Sequence, residues 1–199
     1  VEQFSKGPAF NRANLEKLRK PNAMFSRPPL DTIAHEKRMI PVGKGHPDVA
    51  IYIINAKPGT SRPAILHTHG GGYVIGSAES SVRGLQELCA KLDIVVVSTE
   101  YRLAPEATYA GSVEDNYAGL KWLHANAASI GADPAKIAVM GESAGGGHAA
   151  LLAIAARDRG EVQVAFQCLI YPMLDDRTGT TRKMPPHVGT LVWTPEQNR

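Results

Sequence analysis

Short apolar runs alternate along the chain with longer segments in which apolar residues recur at every third or fourth position. The first pattern predicts strands, and the second predicts helices with one face in a core. Glu36 to Pro41 and Val49 to Ala56 are predicted as two strands joined by the turn Gly43-Lys44-Gly45-His46-Pro47. Ala64 to Thr68 is a nearly continuous apolar run, as expected of a strand covered on both faces. Ile94 to Ser98 is β-branched at its centre, Ile137 to Met140 runs straight into Gly141, and Val162 to Leu174 holds one more strand that ends at Tyr171-Pro172. Between these lie three helical patterns: Val82, Leu85, Leu88, Cys89 and Leu92; Val113, Tyr117, Leu120, Leu123 and Ala127; and Ala149, Leu152, Ala153 and Ala156. Ser112 with Asp115 resembles a capping box for the second helix, and Gly131 followed by Pro134 supplies its stop. Residues 1–30 are polar and proline-rich, with one helical stretch around Asn11 to Lys20, which predicts an arm or lid rather than core.

Strands that alternate with helices of this length predict βαβ units and a mainly parallel sheet with helices on both faces. Ligands of such sheets bind outside the carboxyl ends of the strands. Two glycine-rich turns fall at such ends: His69-Gly70-Gly71-Gly72 after the third run, and Gly141-Glu142-Ser143-Ala144-Gly145 after the fifth.

The second turn is G-x-S-x-G, a tight strand-to-helix turn that lifts a serine hydroxyl above a sheet. Its glycines leave room for a strained residue, and the following helix points its positive end at a bound anion. Read alone, the motif also fits a glycine-rich turn of a nucleotide-binding fold. The first turn lacks Cβ atoms, so its backbone can approach a substrate carbonyl and aim N–H groups at it. Its sharper rival is a phosphate-cradling loop, but neither G-x-G-x-x-G nor a Lys-Ser/Thr pair is present. Together the turns read as an acyl-transfer site with Ser143 as nucleophile. His69 lies on the oxyanion side and is expected to brace the loop with Gly70 rather than act as a base.

Composition removes other classes. With 199 residues, 43% hydrophobic and 21% charged, the chain suits one globular domain. A net charge of +3 from scattered basic residues gives no nucleic-acid stripe. No apolar run reaches the roughly 18 residues of a membrane span. The start lacks the plan of a secretory signal. Cys89 and Cys168 lie far apart and are expected to be small buried hydrophobes, which fits a cytoplasmic location. Neither metal nor organic cofactor is called for.

His69-Gly70-Gly71-Gly72, Tyr101-Arg102-Leu103-Ala104-Pro105-Glu106 and Gly141-Glu142-Ser143-Ala144-Gly145-Gly146 together resemble the hormone-sensitive-lipase family of α/β-hydrolases, and within it the bacterial heroin-esterase-like carboxylesterases. The resemblance runs from about His35 onward. It implies an α/β-hydrolase fold, a doubly wound sheet with about six strands present, and an oxyanion hole from the N–H groups of Gly71, Gly72 and Ala144. It also implies that the Tyr101 to Glu106 block braces loops near the site. Glu142 stands where the family usually has Asp.

The implied organisation is a cap or arm over 1–34, a hydrolase core over 35–190 and the start of a cap insertion over 191–199. The family places its acid after a seventh strand and its His after an eighth, and neither strand is evident, so the chain reads as truncated before both. Asp175, Asp176, His148 and His187 follow Ser143; a rewired Asp175/His187 pair is the alternative within this chain. The reaction expected is hydrolysis of short, uncharged carboxylic esters through an acyl-serine, with a small-molecule ester as partner. A ligand-binding module like the plant gibberellin receptors is the other reading. Without a seventh strand, Val164, Phe166, Cys168, Leu169 and Ile170 would leave an apolar edge open to self-association or to a missing C-terminal piece.

Overall fold

The computed structural model describes residues 12–20, 27–186, 193, 194 and 198. The chain divides into two compact units, one of residues 21–172 and one of residues 1–20 with 173–199.

The larger unit is built on six strands: β1 (His35–Ile40), β2 (Val49–Ile54), β3 (Arg62–Thr68), β4 (Val95–Thr99), β5 (Ala132–Glu142) and β6 (Phe166–Ile170). They form one sheet in the order β1-β2-β4-β3-β5-β6. β1 and β2 pair as an antiparallel hairpin, and β2 lies antiparallel to β4. The remaining pairs are parallel. The chain leaves β3 toward β4 on one side and returns to β5 on the other, so the strand order reverses at β3. Sheets of this kind bind ligands beyond the carboxyl ends of the strands at such a reversal, and the two glycine turns leave the adjacent ends of β3 and β5.

Every residue of β2 and of β4 is buried, which is why their sequences lack polar alternation. Ile51, Ile53, Leu66, Val95, Val97 and Val139 face a core shared with Leu120, Leu123 and Leu152. Tyr52, Ile54, Val96 and Met140 face the opposite core with Val82, Leu85 and Cys89. Each fully buried aliphatic chain contributes about 2 kcal/mol of transfer free energy, so the two-sided burial dominates the stability of the sheet. Numbering in chain order from the five-residue α1 (Leu15–Arg19) of the smaller unit, the covering helices are α2 (Ala78–Leu92), α3 (Tyr109–Ile130) and α4 (Ala144–Arg159).

The strand and helix expectations hold in kind, with shifted limits. The helical stretch expected over Asn11 to Lys20 contracts to Leu15–Arg19, with no buried residue. The long last strand contracts to Phe166–Ile170, and β5 extends back to Ala132, before its pairing with β3 becomes regular at Ile137. The capping box is a correction. Thr108 caps α3, its hydroxyl accepting from the Gly111 N–H, so the helix starts a turn earlier than Ser112. Ser112 and Asp115 are drawn away by Arg102: the Ser112 hydroxyl donates to the Arg102 carbonyl at 2.6 Å, and the buried Asp115 carboxylate accepts from its guanidinium at 2.8 Å. Gly131 does end the helix, at φ +76°; a Cβ there would lie 1.9 Å from the Lys57 carbonyl oxygen. Both cysteines are free; Cys89 is buried and Cys168 half-buried. No helix among the described residues is long and apolar enough to cross a membrane.

Candidate active site

β5 ends at Glu142 and α4 starts at Ala144, leaving Ser143 alone to turn the chain. Ser143 takes φ 55° and ψ −119°, a conformation that costs a non-glycine residue about 1–3 kcal/mol unless its surroundings hold it. They do. Its N–H donates to the Ile170 carbonyl at 2.9 Å, and its carbonyl accepts from the Gly147 N–H at 3.1 Å. A Cβ on Gly141 would fall 2.3 Å from the Gly145 backbone, and one on Gly145 would fall 2.0 Å from the Thr68 carbonyl oxygen. The Thr68 hydroxyl donates to the Gly145 carbonyl at 2.7 Å and closes the joint between β3 and the turn. Ser143 itself stays partly exposed.

The loop after β3 folds back on itself. The Val74 and Ile75 N–H groups donate to the Gly71 carbonyl at 3.1 and 3.0 Å. Gly71 sits at φ +126°, and a Cβ on it would lie 2.0 Å from the Ile75 carbonyl oxygen, so only glycine fits. The Gly71 and Gly72 N–H groups have no acceptor among the described residues. The Ala144 N–H, as the first of α4, has none within the helix.

His69 is buried, with its ring stacked on Tyr101 at 4.2 Å. Its Nδ1–H donates to the Gly70 carbonyl at 2.8 Å, and its own carbonyl accepts the Tyr101 hydroxyl at 2.6 Å. Nε2 is buried with no hydrogen-bond partner among the described residues, and burial lowers the ring's pKa to about 4. His148 packs edge-on against Tyr73 and Tyr101, and burial lowers it likewise to about 4. Both imidazoles are therefore neutral at ordinary pH.

Glu142 joins the two turns. One carboxylate oxygen accepts the Gly70 N–H at 2.8 Å and the other accepts Nε2–H of His67 at 3.0 Å. Burial raises the carboxyl pKa, but the bonds from His67 and backbone N–H groups outweigh it and leave it below the ordinary value. With Nε2–H donated to a carboxylate, Nδ1 of His67 is hydrogen-bonded to the Ser98 hydroxyl at 2.9 Å. This Ser98-His67-Glu142 chain has the connectivity of a hydrolytic triad, yet Ser98 is fully buried and cannot meet a substrate.

The candidates thus fall into two groups. Ser143, Gly70, Gly71, Gly72, Ala144 and His69 are gathered at the ends of β3 and β5. Asp175 belongs to the other compact unit, where its carboxylate is bound by Arg177 at 2.8 Å and Arg182 at 3.4 Å and is held well below the usual range. His187 lies outside the described residues. Sequence reasoning missed His67 and Ser98. Their signal was a polar residue in each of two otherwise apolar runs, brought side by side by the β3–β4 register. Among the described residues, no cluster of three or more His, Cys, Asp or Glu side chains could hold a metal ion.

The fold has counterparts among known proteins. A family described as alpha/beta hydrolase fold matches residues 65–199. Carboxylesterase NlhH of Mycobacterium tuberculosis is 41% identical over 110 residues, 55% of this chain and 34% of that protein. A bacterial heroin esterase structure superposes with a TM-score of 0.81 at 40% identity, covering 94% of this chain and 58% of the other. The esterase of Pyrobaculum calidifontis gives 0.71 at 34% identity, covering 99% and 59%. The chain spans about a third of the length of the curated relatives it matches.

Proposed function

Because the chain belongs to the alpha/beta hydrolase fold family, we propose that the protein is a serine carboxylesterase acting on short, uncharged carboxylic esters. Ser143 attacks the ester carbonyl and forms an acyl-serine, and water then releases the acid. The developing oxyanion takes the N–H groups of Gly71, Gly72 and Ala144, with His69 and Gly70 supporting the loop. The observation that carries this reading is the strained Ser143 at the end of β5, beside β3, whose following loop has backbone donors with no acceptor among the described residues. That the relatives are esterases favours catalysis over the ligand-binding alternative.

Ser143 needs a base to take its proton. Asp175 is a poor orienting acid for His187, since two arginines already bind its carboxylate. The family order therefore remains the better guide to acid and base. Cysteine usage supports a cytoplasmic setting. Neither a metal nor an organic cofactor enters the proposed chemistry. That β6 is the last strand of the sheet among the described residues, with Phe166 65% exposed, supports pairing with a second copy or a further piece of the protein.

The test is Ser143→Ala in the full-length protein with a p-nitrophenyl short-chain ester. Turnover is expected to fall by about 10⁴-fold or more with the fold intact. Unchanged turnover would remove Ser143 from the mechanism.

A further inference from the structure

A carboxylate one residue before the nucleophile is an awkward neighbour. It places negative charge beside a site that must itself accept negative charge, which is unfavourable unless both oxygens are compensated. Here both are, by the Gly70 N–H and by His67. The compensation has its own cost. His67 and Ser98 occupy positions in β3 and β4 that face the α2 side of the sheet, beside Ile65 and Val96, where apolar residues would pack without desolvating polar groups. Both are almost wholly buried. The Ser98 hydroxyl holds the other nitrogen of the His67 ring, His67 orients the carboxylate, and the carboxylate reaches the first glycine of the loop. Gly70 also abuts Glu142 directly: a Cβ on it would lie 3.0 Å from the Glu142 carbonyl oxygen and 3.3 Å from its Cγ. Committing the Gly70 N–H to Glu142 leaves Gly71 and Gly72 as the loop's donors for an oxyanion.

We propose that Glu142, oriented by His67 and Ser98, is a positioning residue that sets the Gly70–Gly72 loop relative to Ser143. The inference rests on the esterase reading for its catalytic consequence, but the tie itself is a structural claim that stands apart from turnover. Other charged and titratable groups facing Glu142 are His69 and Tyr101. Neither is bonded to the Glu142 carboxylate; they hold the His69 and Gly70 carbonyls, so Glu142 is the loop's side-chain tie at the Gly70 N–H.

The experiment measures amide hydrogen exchange at Gly70 and ester hydrolysis in the full-length protein, unsubstituted and as Glu142→Ala, Glu142→Gln and Ser98→Ala. In Glu142→Ala the Gly70 amide is expected to exchange about tenfold faster or more, with Leu66 in β3 unchanged. There kcat should fall roughly 10- to 100-fold, with KM within about threefold. Glu142→Gln keeps an acceptor and should recover most of the protection, and Ser98→Ala should show a smaller loss of the same kind. Unaltered Gly70 exchange in Glu142→Ala would overturn the proposal, as would equal loosening at Leu66 or a normal kcat despite faster exchange. Should the unsubstituted protein hydrolyse no ester, the proposed function fails, and Gly70 exchange alone decides the tie.

Discussion

The turn at Ser143 and the loop at Gly70–Gly76 leave neighbouring strands on the same side of the sheet, yet they are held by different means. The serine turn is fixed by backbone. Main-chain atoms would meet any Cβ on Gly141 or Gly145, and the Ser143 N–H and carbonyl are both bonded to main chain. The loop turns on main-chain bonds at Gly71, but its placement depends on side chains: two distant ones, Glu142 on the Gly70 N–H and Tyr101 on the His69 carbonyl, and the adjacent His69 on the Gly70 carbonyl. A nucleophile must be held against strain, which close backbone packing does well. A donor loop must be aimed, and side chains from β4 and β5 supply the aim.

The sharpest way to break the first half of the comparison is Gly145→Ala. Its Cβ would sit 2.0 Å from the Thr68 carbonyl oxygen and 2.6 Å from that of His69, so β3 and α4 must separate. The expected loss exceeds about 4 kcal/mol, read as collapse of the denaturant midpoint. Gly84→Ala in α2, with open space around it, should instead be neutral or gain up to about 1 kcal/mol.

Acid tests the second half with a smaller effect. His69 and His148, packed around Tyr101, have pKa values lowered from 6.5 to about 4 in the folded state. The folded protein therefore binds fewer protons than the unfolded one between these values. The stability from their neutral burial is complete above about pH 6.5 and is lost as pH falls toward 4, by roughly 3 kcal/mol for one ring. Equilibrium unfolding followed from pH 7 to 4 should show this slope, and His148→Phe should reduce it.

Among the destabilising changes, the smallest expected effect is that of Tyr101→Phe. It deletes the hydroxyl on the His69 carbonyl, keeps the stacked ring, and should cost about 1 kcal/mol by chemical denaturation. A loss as large as that of Gly145→Ala would erase the distinction between the two turns.

The same distinction explains what was legible in the sequence. The serine turn demands glycine at fixed spacing, so it is written locally as Gly141-Glu142-Ser143-Ala144-Gly145, and Gly71 and Gly72 are legible for the same reason. Of the bracing, the parts of His69 and of the Tyr101 block were expected, but the Glu142 link was not legible, because Glu142 reaches Gly70 across 72 positions and His67 reaches Ser98 across 31. The capping box at Ser112 was misread on similar grounds: a local pattern was present, but Arg102 claimed both side chains. The identities of β2 and β4 survived because two-sided burial leaves a local apolar run. The limits of β5 and β6 did not, since register with neighbours decides where pairing begins.

The central claim, that these two turns make one acyl-transfer site on Ser143, is tested most directly by covalent labelling. The full-length protein is treated with a fluorophosphonate, digested and analysed by mass spectrometry, with Ser143→Ala in parallel. The account predicts one adduct per chain, on Ser143, absent from the Ser143→Ala protein. An adduct on another residue, or none on a folded protein that still hydrolyses esters, would contradict it.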